Sequence, residues 1–189
     1  MKLLFLTVFL LALAALLQAQ QDVTTLLFQN VKSKLSAAEK KSIATSLAFI
    51  PSGNKDQPFA LDKDSKEYPF GATAYPTDLN GDGTEEIFVL FGNSYTSGNT
   101  GSSIAAFIRN AAGKYEMNLG FPGTLPDVLT TKNMGYPDLL IGGPGMEYPV
   151  FRWKGKIYDN FKSVKDADYE KLKKTSLEEV SKQYQAGLK

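Results

Sequence analysis

The sequence predicts an α+β fold in which an antiparallel β-meander of hairpins follows N-terminal helices and is closed by a C-terminal helix. Three observations predict it. Apolar residues recur at helical spacing before Pro51, short β-type runs alternate with turn residues between 72 and 161, and helical spacing returns after 166.

The chain opens on Met1-Lys2, continues as an apolar run from Leu3 to Leu17 broken only by Thr7, and then turns polar at Gln18-Ala19-Gln20-Gln21-Asp22. A positive start, an apolar centre and a small residue before a polar stretch mark a secretory leader. Residues 1–19 are expected to be a signal peptide cut after Ala19, with 20–189 a single domain that is secreted or periplasmic. The apolar run falls short of the roughly 20 residues that cross a bilayer as a helix.

Beyond the leader, Val23, Leu26, Leu27, Val31 and Leu35 share a helical face, and Ser36-Ala37-Ala38-Glu39 is a capping box opening a second helix with Ile43, Leu47 and Ile50. Pro51-Ser52-Gly53-Asn54 ends it, and the polar stretch to Phe70 reads as loop, its Asp62-Lys63-Asp64 a solvated charge cluster. Strands are expected at 72–75, 86–91, 104–109, 115–119, 128–131, 139–141, 150–153 and 156–159. Asn110-Ala111-Ala112-Gly113 and Lys154-Gly155 read as hairpin turns. Gly142-Gly143-Pro144-Gly145 reads as a turn too, since a strand and not a helix follows it. At the end Tyr169, Leu172, Leu177, Val180 and Tyr184 approximate one helical face, with Asp166 and Asp168 near its positive N-terminus.

Composition narrows the chemistry. There is no cysteine and no histidine, so disulfide frameworks, thiolate sites and hydrolases of the Ser-His-Asp or Cys-His type are excluded. Loss of the leader removes one lysine from 21 basic residues and balances the 20 acidic ones. A neutral chain gives no reason to expect nucleic acid. Hydrophobic residues at 43% describe a packed globule.

The chemistry concentrates in Asp78-Leu79-Asn80-Gly81-Asp82-Gly83-Thr84-Glu85-Glu86. Calcium takes six to eight oxygen ligands, so a linear site needs carboxylates or amides at alternate positions of a tight loop. Asp78, Asn80 and Asp82 stand at positions one, three and five, Thr84 offers a backbone carbonyl at seven, and Glu86 stands at nine. An EF-hand would need a bidentate Glu at twelve, where Val89 begins the middle of an apolar strand.

The loop running into a strand resembles the FG-GAP and VCBS-type repeats of integrin-like β-propellers, whose calcium loop has the form D-x-[DN]-x-D-G-x-x-[DE]. The resemblance implies Asp78, Asn80, Asp82 and Glu86 as side-chain ligands, Thr84 as a backbone ligand, and blade-like hairpins. A second stretch, Thr130 to Pro144, fits the same frame with Gly135 and Asp138 in the places of Gly83 and Glu86. Thr130, Lys132 and Met134 occupy its ligand positions, so it keeps the shape of the repeat without its metal. Two frames do not make the four blades of a closed propeller.

Two further features bear on recognition. The polar stretch 92–103, with Tyr95, follows the strand that leaves the loop and suits sugar or peptide contacts. Tyr148, Phe151, Trp153, Tyr158 and Phe161 form either an aromatic platform, with Phe151 and Trp153 on one strand face by the two-residue period, or, as is more usual, part of the core. Acids outside the loop are Glu67, Glu116, Asp127, Asp138 and Glu147, and spacing selects no catalytic pair among them. The expectation is therefore an exported, monomeric, calcium-binding domain with a binding or structural role. Its partner would be a macromolecule such as a glycan or envelope protein, and calcium should order 92–103 through the intervening strand. The alternative is a small carboxylate-based hydrolase acting on glycans or peptides.

Overall fold

The computed structural model describes residues 22–142 and 147–188. The leader at 1–19, its cleavage site and residues 143–145 of the expected turn lie outside the described residues. The architecture is α+β, with antiparallel strands in three sheets and helices at either end.

Helix α1 (Val23–Leu27) is capped by Asp22, and α2 (Ala37–Leu47) opens on the expected capping box: Ser36 Oγ accepts the Glu39 N–H, and Glu39 Oε2 accepts the Ser36 N–H at 2.8 Å. The first helix is shorter than its spacing predicts. Asn30 takes φ 62° and breaks it, yet Val31 and Leu35 still pack into the same core as Leu27.

The expected loop from 51 to 70 is a second departure. It holds a small ladder, β1 (Ile50–Pro51) with β2 (Phe59–Ala60), and Phe59 bridges Phe70. Phe59, Ala60 and Phe70 are all buried. Phe59-Ala60-Leu61 is too short an apolar run, set in a polar stretch, to show a period, which is why the pattern missed it.

Strands β3 (Ala72–Thr77), β4 (Glu86–Phe91), β5 (Ser103–Arg109) and β6 (Tyr115–Pro122) form an antiparallel meander in the order β3-β4-β5-β6. Successive side chains of a strand point to opposite faces. Ile87 and Val89 of β4 therefore enter a core with Ile43, Leu47 and Phe59, whereas Phe88 enters a second core with Ile104, Leu139 and Trp153. With apolar layers on both faces, β4 reads as a continuous hydrophobic run. Truncating Phe88 to alanine should cost about 3–5 kcal/mol.

The other side of the second core is a sheet of β7 (Asp127–Asn133), β8 (Tyr136–Leu140), β9 (Glu147–Trp153), β10 (Tyr158–Lys165) and β11 (Lys174–Ser176), in the order β10-β9-β8-β7-β11. Of the expected aromatic set, Trp153 and Tyr158 are buried here and Phe151 stacks on Phe121 with centroids 5.2 Å apart. Phe161 is the exception at 40% exposed. It stands at a register shift between Asn160 and Lys162, with the Arg152 guanidinium 3.5 Å from its ring centroid and Lys154 and Lys162 at 5.6 and 5.8 Å.

The single C-terminal helix expected from 166 onward is replaced by three elements: a turn of helix α3 (Asp166–Tyr169), then β11, then helix α4 (Leu177–Gly187). Tyr169 and Leu172 pack on the outer face of the second sheet, while Leu177 and Val180 enter the core between the sheets. Two separate cores had mimicked one helical stripe. Ser181 fastens α4 to the first sheet by donating to the Pro76 carbonyl at 2.8 Å.

Candidate metal centre

The loop between β3 and β4 is held by its own polar groups. Asp78 Oδ2 accepts the Gly83 N–H at 3.0 Å, Asn80 Oδ1 accepts the Asp82 N–H at 3.0 Å, and Asp82 Oδ1 accepts the Thr84 N–H at 2.7 Å. Asn80 Nδ2 closes the ring on Asp82 Oδ2 at 2.8 Å. The curl needs left-handed backbone at Gly81 (φ 74°) and Gly83 (φ 85°), which glycine adopts at no steric cost. Burial alone would raise the Asp82 carboxyl, but the Thr84 N–H and the Asn80 side chain outweigh it and hold it below the ordinary range.

One atom stands apart. Asp78 Oδ1 is buried and, among the described residues, is the only buried side-chain oxygen or nitrogen without a hydrogen-bond partner. A carboxylate oxygen left so is costly unless a cation or donor meets it.

Glu86 is buried at the start of β4 and turned between two donors: the Leu79 N–H at 2.8 Å to Oε2 and the Tyr136 hydroxyl at 3.1 Å to Oε1. Burial pushes its carboxyl up to about 7, against the pull of those two hydrogen bonds, with Asp78 and Asp82 adding to the rise. Among the described residues no three acidic side chains converge as a preformed metal cluster. Asp78, Asn80, Asp82, Thr84 and Glu86 all belong to one loop, and its donors are exclusively oxygen. That donor set and the orphaned Asp78 Oδ1 fit a hard cation such as calcium.

Sequence reasoning missed Glu85. Its carboxylate is buried and accepts the Ser33 hydroxyl at 2.6 Å, the Lys34 N–H at 2.7 Å and the Tyr184 hydroxyl at 3.1 Å, while its carbonyl accepts the Tyr115 hydroxyl at 2.9 Å. A signal existed: the loop form calls for one acid at its end, and the pair Glu85-Glu86 leaves one to spare. Together the two glutamates tie the loop to the N-terminal segment, to α4, to β6 and, through Tyr136, to the second sheet.

The expected link to 92–103 would have to pass along β4. That stretch lies beyond the far end of β4, about 20 Å of extended chain away. It is also not plain loop, for it contains a helical turn at Ser94–Ser97 and a 3-10 turn at Gly98–Thr100. Its hydrogen bonds run to its own residues, to Tyr68, Pro69, Gly71 and Gly123, and at Ser103 into the ladders with β4 and β6, none of them in the metal loop.

The second frame folds as the β7–β8 hairpin with Gly135 (φ 87°) at its tip. Asp138, the counterpart of Glu86, sits buried in β8 and takes a two-pronged pair from Arg152 at 2.8 and 2.7 Å and the Thr131 hydroxyl at 2.5 Å. Of the other acids weighed for catalysis, Asp127 accepts the Tyr169 hydroxyl and Glu116 accepts the Asn110 amide, so these carboxylates are engaged structurally. No helix among the described residues is long and apolar enough to cross a membrane.

No protein-family model matches the chain, and neither curated proteins nor solved structures include a significant relative.

Proposed function

We propose that residues 20–189 form an exported domain that binds one calcium ion in the loop from Asp78 to Glu86 and serves a binding or structural role in the envelope or outside the cell. The observation that carries the reading is Asp78 Oδ1, a buried carboxylate oxygen without a partner inside a loop of Asp, Asn and Asp at alternate positions. Side-chain oxygens of Asp78, Asn80, Asp82 and Glu86 with the Thr84 carbonyl would nearly fill a calcium shell. The resemblance to FG-GAP and VCBS loops supports the same ligands. Export rests on the leader-like residues 1–19.

The role of the ion is structural: it would neutralise Asp78, Asp82 and Glu86 at the point from which Glu85 and Glu86 reach four other segments. Calorimetric titration with calcium tests the reading. One site with a dissociation constant of about 0.1–1 mM is expected, as in extracellular modules. Absence of saturable binding, or binding unchanged in both Asp78→Ala and Asp82→Ala, refutes it.

A further inference from the structure

We propose that Tyr68 and Tyr95 form a recognition platform for a neutral saccharide, with a pyranose ring lying on the open face of Tyr95. The two rings stack in parallel, centroids 4.0 Å apart and planes 8° from coplanar, yet remain 42% and 60% exposed.

The pair is held by a built frame. Asn93 spends its whole side-chain hydrogen-bonding capacity on it: Oδ1 accepts the Tyr95 and Thr96 N–H groups at 3.0 and 3.1 Å, and Nδ2 donates to the Tyr68 and Pro69 carbonyls at 3.3 and 3.0 Å. One amide thus fixes the backbone beneath both tyrosines. Beside it Gly92 takes φ 103°, and a Cβ there would lie 2.5 Å from Ser97 Oγ and 2.7 Å from Thr96 Oγ1. Rings on such a base lose little freedom when a ligand settles on them.

The hydroxyls set this pair apart. Of nine tyrosines, Tyr115, Tyr136, Tyr148, Tyr158, Tyr169 and Tyr184 donate to a carboxylate or carbonyl, and Tyr75 has Thr73 beside it. Among the described residues Tyr68 and Tyr95 are the two exposed tyrosines, and neither hydroxyl has a hydrogen-bond partner within the protein. A flat apolar face edged by free hydroxyls matches the alternation of C–H faces and hydroxyl rims on a sugar ring.

The surroundings argue for a saccharide over a peptide. Strand addition needs free backbone groups, and here they are spent: the Tyr68 N–H on Ser65, the Tyr68 and Pro69 carbonyls on Asn93, and both polar groups of Phe70 on Phe59. From Tyr68 to Phe70 it is the side chains that are left to recognise a ligand. The charges flanking Tyr68, Lys66 and Glu67, cancel, which favours a neutral sugar over an acidic one.

The inference does not rest on calcium, because platform and metal loop stand at opposite ends of β4. The test is native electrophoresis of the purified protein through gels containing a soluble β-glucan, an α-glucan, a galactomannan or a uronic-acid polysaccharide, with a proline-rich peptide titrated separately. Retardation by at least one neutral polysaccharide is expected. Tyr95→Ala should weaken it about tenfold, a loss of about 1.4 kcal/mol, while Tyr95→Phe should retain most of it and neither variant should shift the melting temperature appreciably. Asp82→Ala should be retarded like the parent. No retardation by any neutral polysaccharide, equal retardation of Tyr95→Ala, or stronger binding of the uronic polymer or the peptide overturns the proposal.

Discussion

Tyr184 donates its hydroxyl to Glu85 Oε1 at 3.1 Å across 99 residues of sequence, joining the last helix to the residue that closes the candidate metal loop. Ser33 and Lys34 converge on the same carboxylate from the N-terminal side. Removing the acceptor leaves three donors unsatisfied, the Lys34 backbone N–H and the hydroxyls of Ser33 and Tyr184. Glu85→Ala should therefore destabilise the protein by about 2–4 kcal/mol, and Tyr184→Phe by about 1 kcal/mol. Urea unfolding measures both, and a loss under about 0.5 kcal/mol for Glu85→Ala would show that the hub is not structural.

Asp138 and Asp78 should separate stability from calcium response. Asp138→Ala removes the two-pronged partner of Arg152 and the acceptor of the Thr131 hydroxyl and should cost about 2–3 kcal/mol. Its melting temperature should nonetheless still rise when calcium is added. At about ten times the dissociation constant the ion contributes roughly 1.4 kcal/mol, a rise of about 3–6 °C for a domain of this size. Asp78→Ala should show no rise, as read by differential scanning calorimetry.

The ties of Glu85 and Glu86 set where chelation should be felt. Removing calcium should speed amide exchange around Ser33, Lys34 and α4, and leave 92–103 nearly unchanged. Exchange measured by mass spectrometry with and without chelator decides it. Faster exchange confined to 92–103 would restore transmission along β4.

Acid stability should report Asp138. Burial favours its neutral form, but Arg152 and Thr131 outweigh burial, Lys162 adds to them, and the carboxyl is held below its ordinary value. A lowered folded value means that the stabilisation is present above the unfolded value of about 3.9 and is lost as pH falls through the folded one. Asp138→Asn keeps the shape without the charge. It should flatten the fall in stability below about pH 4; a slope equal to the parent's would assign the acid transition to other carboxylates.

The legible parts of the fold were those whose burial leaves a period or whose turns need glycine. The run Ile87-Phe88-Val89 marked β4, and Ser36 with Glu39 marked the start of α2, because each is fixed by local chemistry. Half of β10 was not legible: Asn160 to Ser163 face solvent and give no alternation. The candidate ligands of the loop could be proposed from spacing alone, since a linear site is written in consecutive residues. Glu85 could not, because its partners Ser33, Lys34 and Tyr184 come from segments that only the tertiary fold brings together. The stacking of Tyr68 on Tyr95 was hidden for the same reason.

The bulge at Phe161 has a consequence for the company the protein keeps. Strand β10 is the free margin of a five-stranded sheet, and a flat margin offers unpaired amides and carbonyls to any other chain. Here the register slips midway, and three cationic side chains gather about the ring at the slip. A strand approaching from a second copy would find its hydrogen-bond ladder interrupted and its own copy of those charges brought face to face with them. An irregular, charged margin of this kind is one of the devices by which edge strands resist pairing with another chain.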